Sequence, residues 1–500
     1  MLLLEEVRSL LAQLGSTRMD LTAYDTGWVA AVSTAGGAPR FPQSLHWLRR
    51  HQHADGSWGA GSTEDQIHPY YHDRLLSTLR AVLTLDAWSE SPCDRRQVER
   101  GLAYIRAHAV DLAKDPVETV GFELIFPTLL DEAEQRALDV PQEAFVPVRL
   151  TGAAKRARAP RHLAYDRRTP LAVSLEALGP HFEVELASAV QEVNGSVGTS
   201  PSATAYLLQH CPDNETAVAF LDQVLQNDQA AGGMPAFFPI ETFEYSWALY
   251  QLGQAQPAIY RHLAGSITPL LDHLYTTRTR AGWTSCALAT VKESDTTAVC
   301  FSVLSQAGYT LNPALLYQYE EAEHFRVYPF ERNPSPSANA HILDALHYCD
   351  PRERAPRVEK LIRFLTETRQ PGGFWFDKWH VSPYYTTSHV VLAAQDWAPN
   401  LVAPTIDWLL AGQRPNGSWG YYGATLEETA YAVLALLAWQ RSGHCIPCDV
   451  IARAVDYLHE HYTRDDSAYP PLWIAKTLYA PVLIAQAAVL AALLAAEAQG

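Results

Sequence analysis

Apolar residues along the chain recur at steps of three and four, the period of a helix face, over segments of roughly 10–18 residues. The strict alternation of a β-strand is scarce. The clearest segments are Arg74–Asp86 (RLLSTLRAVLTLD), Ala217–Gln226, Glu427–Gln440 (EETAYAVLALLAWQ) and Val450–His461. Many of them are apolar on more than one face, so each must be covered on several sides, as in a double ring of antiparallel helices. A run of sixteen residues, Pro481 to Ala496 (PVLIAQAAVLAALLAA), contains Gln486 and is shorter than the ~20 residues that span a bilayer. It reads as a buried core helix. The first residues, MLLLEEVRSLLAQLG, read as a short amphipathic helix; Glu5 and Glu6 and the lack of a basic start argue against a secretory signal.

Between the helices lie Gly, Pro, Asn and Asp, which stop helices and form turns. Some of these connectors repeat. Gln52-His-Ala-Asp55-Gly56-Ser57-Trp58-Gly59 is echoed by Gln413-Arg-Pro-Asn416-Gly417-Ser418-Trp419-Gly420, and more loosely by Gln370-Pro-Gly372-Gly373-Phe374-Trp375. Gly permits a turn with positive φ, and the following Trp can plug the end of a helix pair. The spacing is irregular, which argues against a simple solenoid and favours two related helical units.

Composition narrows the function. The chain has 500 residues, 48% of them hydrophobic, and a formal net charge of −17 from 38 basic and 55 acidic side chains. It can bury a large core, and its charge argues against general nucleic-acid binding. The seven cysteines imply no disulfide framework, and Cys445-Ile-Pro-Cys448 lacks a second metal-ligand pair. With no secretory signal and no spanning segment, a cytoplasmic protein is expected. Inside this acidic chain, residues 146–170 concentrate Lys155, Arg156, Arg158, Arg161, Arg167 and Arg168. That stretch is either a solvated loop or an anion site.

The segment VKESDTTAVCFSVLSQAGY (291–309) sets an acidic, hydroxyl-bearing turn before an apolar helix, after Gly282-Trp283-Thr284. Glu293-Ser294-Asp295-Thr296-Thr297 resembles the DxDD(T/A) motif of class II terpene cyclases in its DxDTT form. Thr22-Ala-Tyr24-Asp25-Thr26-Gly-Trp28 resembles the SAYDTAWVA signature of diterpene cyclases. In the same order follow DGSWG (55–59), DRLLSTL (73–79), GFELIFPTLL (121–130), NGSVGTSPSATAY (194–206) and FEYSW (243–247). DKWHVSPYYTTSH (377–389), NGSWGYYG (416–423) and PLWIAKTLY (471–479) complete the series. The whole chain thus resembles bacterial class II diterpene cyclases of the halimadienyl (tuberculosinyl), kolavenyl or copalyl diphosphate synthase type, within the squalene–hopene cyclase-like superfamily.

The resemblance implies an all-α fold of two α-barrels: a γ domain at 20–235, inserted in a β domain made of 1–19 and 236–500. It implies protonation-initiated cyclisation of geranylgeranyl diphosphate to a bicyclic labdane, halimadane or clerodane-type product that keeps its diphosphate. No DDxxD motif for metal-dependent ionisation is present. An isolated alkene is a very weak base, so its protonation needs a carboxylic acid kept protonated and away from water. The resemblance assigns that role to Asp295, flanked by Glu293 and Thr296. Glu293 stands where the pattern has Asp, which keeps the carboxyl but adds a methylene.

Aromatic faces stabilise migrating positive charge, and the matched motifs offer Trp283, Trp379, Tyr384, Tyr385 and Tyr479 as pocket wall. For the diphosphate, the resemblance points to Lys155, Arg156, Arg158 and Lys378. It places Mg²⁺ near Asp115 and Glu118, through water. Three alternatives remain: a sesquiterpene cyclase making drimenyl diphosphate from farnesyl diphosphate, a squalene–hopene type enzyme, and a helical-barrel homologue impaired by Glu293. The expected partners are the isoprenoid diphosphate and a downstream terpene synthase or phosphatase.

Overall fold

Helices apolar on every side are stable only where neighbours cover every side. In the computed structural model they close into rings. It describes residues 2–61, 69–89, 91–158, 161–166, 169–227, 231–329, 331 and 333–499. The fold is all-α, as the periodicity and the resemblance imply. One ring is formed by α1 (Ala23–Ala30), α2 (Tyr71–Ala87), α3 (Phe122–Gln135), a 3₁₀ stretch at Pro170–His181 and α4 (Pro201–His210), which packs back on α1. The second ring runs through α5 (Glu241–Ala255), α6 (Ser294–Gln306), α7 (Pro336–Ala345), α8 (Pro383–Ala394), α9 (Leu426–Arg441) and α10 (Val482–Glu497), and closes from α10 to α5.

More amphipathic helices wrap each ring from outside. Pro92–His108 and Glu215–Leu225 cover the first, and Pro351–Thr368 and Cys448–His461 cover the second. The apolar C-terminal run is α10, buried from Val482 to Ala495. No helix among the described residues is long and apolar enough to cross a membrane. Buried apolar side chains gather in two large clusters. One draws on residues 7–19 and 236–495, the other on 23–234. A small third cluster, Tyr70, Val381, Leu472, Ile474 and Leu478, takes members from both segments.

The repeated connectors share one device. The Trp58, Trp375 and Trp419 indoles donate to the carbonyls of Leu48, Leu365 and Leu409 at 2.9, 2.8 and 2.7 Å. Their backbone N–H groups donate to Thr78, Thr387 and Thr429 Oγ1 on the following inner helix at 2.9, 3.1 and 2.9 Å. Each plug therefore ties an outer helix to an inner one. The turn needs glycine: Gly417 has φ 87°, and a Cβ there would stand 2.3 Å from the Arg453 carbonyl oxygen.

Periodicity missed one element. Trp473–Ile474 and Leu478–Tyr479 form a two-stranded antiparallel hairpin, with Trp473 opposite Tyr479 and Ile474 opposite Leu478. Strands of two residues are too short to show alternation.

Trp419 is fully buried, so Trp419→Ala leaves a large cavity and removes the tie between helices. A loss of about 3–5 kcal/mol of stability is expected, read as an earlier midpoint in chemical denaturation, with helical circular dichroism retained before the transition.

Candidate active site

The helix α6 begins at the acidic motif, and its first turn organises the site. Glu293 is the N-cap: one carboxylate oxygen accepts the Asp295 N–H at 2.5 Å and the other the Thr296 N–H at 2.7 Å. Asp is the commoner cap; the extra methylene of Glu lets the two oxygens serve two donors. Thr297 ties the cap down, donating to the Glu293 carbonyl at 2.5 Å. Asp295 is thereby fixed one residue inside the helix, 8% exposed, with Oδ1 2.5 Å from His341 Nδ1 on the neighbouring α7.

Burial pushes the Asp295 carboxyl well above its ordinary range; the charges of Asp377 and Glu331 add to the rise and Lys378 opposes it. Burial also lifts Glu293, to about 8, with Asp295 adding to the rise. The two amide hydrogen bonds of Glu293 favour its charged form, so Asp295 is the carboxyl that keeps its proton longer. His341 is pushed down to about 4 by burial, so its imidazole is neutral near neutral pH. Its Nε2 is buried without a partner. A bare lone pair there costs less than an unpaired N–H, which favours the Nδ1–H tautomer donating to Asp295 Oδ1. Oδ2 is then the oxygen left to carry the acid proton. This arrangement can hold a neutral carboxyl in a dry site and stabilise the carboxylate left when its proton departs.

Aromatic rings crowd the acid's partner. The His341 ring lies 5.7 Å from Trp247, 5.6 Å from Tyr250 and 4.8 Å from His389, centroid to centroid. Tyr385 is fully buried, accepts the Trp247 indole N–H at 3.2 Å, and stacks with His380 at 4.9 Å. Trp473 meets Tyr385 at 4.8 Å and gives its indole N–H to Glu427 at 2.8 Å. Tyr479 faces Phe237 at 6.1 Å. Trp379 lies half-buried 6.3 Å from Tyr328, its indole nitrogen unpartnered.

Two of the expected wall residues face elsewhere. Trp283 is a fourth plug: its indole donates to the Leu274 carbonyl at 2.7 Å, and its N–H to Thr297 Oγ1 at 3.0 Å. Tyr384 packs against Trp408 of the outer helix Pro399–Ala411 at 4.8 Å. Successive residues on a helix point about 100° apart, so with Tyr385 turned inward Tyr384 is carried to the outer side of α8.

The expected phosphate and metal groups are dispersed. Lys378 is ion-paired with Glu331 and donates to the Asn333 carbonyl at 2.5 Å, close enough to Asp295 to influence its charge. Lys155 pairs with Glu123 and lies 3.9 Å from Glu118. Arg156 donates to the Leu124 carbonyl at 2.6 Å, and Arg158 is exposed. The Arg161 side chain, Arg167 and Arg168 lie outside the described residues.

Asp115 Oδ2 is taken by the His72 N–H at 2.8 Å and by His72 Nδ1 at 2.7 Å. Glu118 is lifted by burial and by the adjacent Glu123 carboxylate. Among the described residues no three His, Cys, Asp or Glu side chains converge as metal ligands. With Asp115 Oδ2 taken by His72 and no third ligand beside it among the described residues, the expected pair does not by itself form a direct magnesium site.

Sequence reading missed His341, His389, Trp247, Trp473 and Glu427 as individual residues. Trp247, Trp473 and His389 sat inside quoted motifs, and Glu427 opened a quoted helix. His341 lies in an unremarkable helical segment, and only its position one helix over from Asp295 marks it.

Comparison with known proteins gives a consistent family. Residues 331–477 match the squalene-hopene cyclase C-terminal domain. A type B diterpene cyclase from Mycobacterium tuberculosis is 37% identical over 98% of this chain and 98% of its own length. An ent-copalyl diphosphate synthase from a Streptomyces species is 31% identical over 91% of this chain and 88% of its own. The solved ent-copalyl diphosphate synthase from Streptomyces platensis superposes with a TM-score of 0.81 at 29% identity, over 99% of this chain and all of that one. Matched nearly end to end by such relatives, the chain belongs to the class II diterpene cyclases, isomerase-type enzymes that start ring closure by protonation.

Proposed function

We propose that the protein converts geranylgeranyl diphosphate into a bicyclic diterpenyl diphosphate, with Asp295 as the general acid. The observation that carries this reading is the buried Asp295 carboxyl, set between the Glu293 cap and the neutral His341 imidazole. In the first step the Asp295 O–H bond breaks and the terminal alkene's π pair forms a new C–H bond. Positive charge then passes to the neighbouring carbon and on through two ring closures. Loss of a proton from carbon ends the sequence with a new double bond. One proton enters and one leaves, and the C–O bond to the diphosphate stays intact, so the overall reaction is an isomerisation.

Glu293 and Thr296 act by holding the first turn of α6, and Trp379, Tyr385 and Tyr479 contribute wall, joined by Trp247 and Trp473. The barrels on this reading are a γ domain at 20–235 and a β domain at 1–19 with 236–500, and the two large apolar clusters support that division. Lys155, with Arg156 and Arg158 behind it, is the side favoured for the diphosphate; Lys378 is reassigned to the acid. Magnesium enters only as a companion of the diphosphate, with the half-exposed Glu118 carboxylate, 3.9 Å from Lys155, as the favoured contact of the two expected groups. A downstream terpene synthase or phosphatase acting on the product, and a cytoplasmic setting, complete the proposal.

Incubation with geranylgeranyl diphosphate and Mg²⁺, then dephosphorylation and mass spectrometry, is expected to yield a bicyclic alcohol. Farnesyl diphosphate in parallel separates the C20 reading from the C15 one, and no cyclised alcohol from either rejects the cyclase assignment. Asp295→Asn should lose activity by at least about 10³-fold while keeping its unfolding midpoint.

The pH dependence follows from charge. The acid works protonated, so kcat/KM falls as pH rises through the Asp295 pKa. Lys378 lowers that pKa and Glu331 raises it. Lys378→Met should therefore move the alkaline limb of the pH–rate profile up, and Glu331→Gln should move it down, each by about one pH unit. Shifts of the same sign in both variants would remove Asp295 as the titrating group.

A further inference from the structure

Lys476 is the one charged side chain of the hairpin 473–479, and it is 2% exposed. Its ammonium donates to Glu176 Oε1 at 2.7 Å, Ser200 Oγ at 2.8 Å, Ser202 Oγ at 2.5 Å and the Val173 carbonyl at 2.9 Å. An ammonium has three protons, so this cradle is already complete. All four acceptors come from the segment 20–235, about 300 residues away in sequence. Glu176 is itself fully buried and receives the Tyr24 hydroxyl at 2.8 Å. An unpaired charge at such depth is expensive, which makes the pair a strong fixed point.

The same segment grips the hairpin backbone elsewhere. Asp73 Oδ1 accepts the Leu478 N–H at 3.0 Å, Asp20 Oδ1 accepts the Ala480 N–H at 2.5 Å, and Val120 N–H donates to the Ala475 carbonyl at 2.8 Å. From the other segment, the Trp379 carbonyl accepts the Ile474 N–H at 2.8 Å. The hairpin's two aromatic residues, Trp473 and Tyr479, flank this anchored turn. The Trp473 ring is part of the wall beside Tyr385 and His380.

We propose that Lys476 is a positioning residue: its cradle of Glu176, Ser200, Ser202 and the Val173 carbonyl sets the hairpin that places Trp473 and Tyr479, and so governs where the migrating cation stops and loses its proton. This rests on the cyclisation reading and extends it from initiation to product choice. A ring face stabilises a cation only when the charge lies over it, within about 6 Å of the centroid. A hairpin freed to shift changes which carbocation its rings face, and so which one is deprotonated or captured by water.

The test compares wild type with Lys476→Met and Ser202→Ala on geranylgeranyl diphosphate. Ser202→Ala removes a single acceptor, so it decides the matter if Lys476→Met fails to fold. Each folded variant is expected to consume substrate with KM within about twofold of wild type and kcat lowered by about threefold or more, and to release products absent from wild type as at least about a tenth of the total. The shift should be larger for Lys476→Met. An unchanged product profile in the folded variants overturns the proposal, even where the unfolding temperature falls, since a purely structural role moves stability alone. A KM rise of about tenfold with one unchanged product also overturns it, and would make Lys476 a diphosphate contact. A wild type inactive on both prenyl diphosphates instead removes the cyclisation reading on which it stands.

Discussion

The second ring is organised around the hydrogen bond between Asp295 and His341, because a carboxyl held protonated at neutral pH needs an environment that water cannot reach. Burial alone would supply a proton that never leaves. The acid must also tolerate its own negative charge at the moment of transfer. The imidazole N–H supplies one donor to the carboxylate, and the first turn of α6 adds the positive end of the helix dipole. The Glu293 cap sets both, since it fixes where α6 begins and therefore which way Asp295 faces. The closed ring of six inner helices is what buries this corner.

Two opposing demands meet at Asp295. Desolvation and the charges of Asp377 and Glu331 hold the proton on, while Lys378 makes it easier to lose. Lys378 is also paired to Glu331, so its pull on the acid is partly spent on a nearer anion. On the proposed reading the Lys378–Glu331 pair therefore tunes the strength of the acid. That is the physical reason for moving Lys378 from the diphosphate to the acid.

The fold was largely legible because it is written in local signals. Helical periodicity located three of the inner helices, α2, α9 and α10, and two outer ones, and the Gly-x-Trp turns marked where outer helices meet inner ones. Those signals also misled in one place. Trp283 lies in a matched motif that offers it as pocket wall, yet its N–H to Thr297 and indole to Leu274 are the kind of contacts that Trp58, Trp375 and Trp419 make. Tyr384 and Tyr385 could not be told apart in a motif, because the inward side of a helix is decided by its neighbours. His341 was invisible for a related reason: its role comes from α7 lying against α6, and no spacing within the chain encodes that. Asp295 could be named only through resemblance, since an Asp in the first turn of a helix is by itself an ordinary feature.

The histidines of the wall bear on the cation as much as on the acid. A charged imidazole beside Asp295 would stabilise the carboxylate better than a neutral one, but it would stand next to the path of a carbocation and repel it. Burial resolves the conflict by pushing His341 down to about 4 and His389 well below its usual value. With both imidazoles neutral, neither ring adds positive charge beside the path of the cation on the proposed reading. On that reading the Asp295 carboxylate then faces the cation among aromatic side chains, with the buried Glu427 carboxyl holding the indole N–H of Trp473 beside Tyr385.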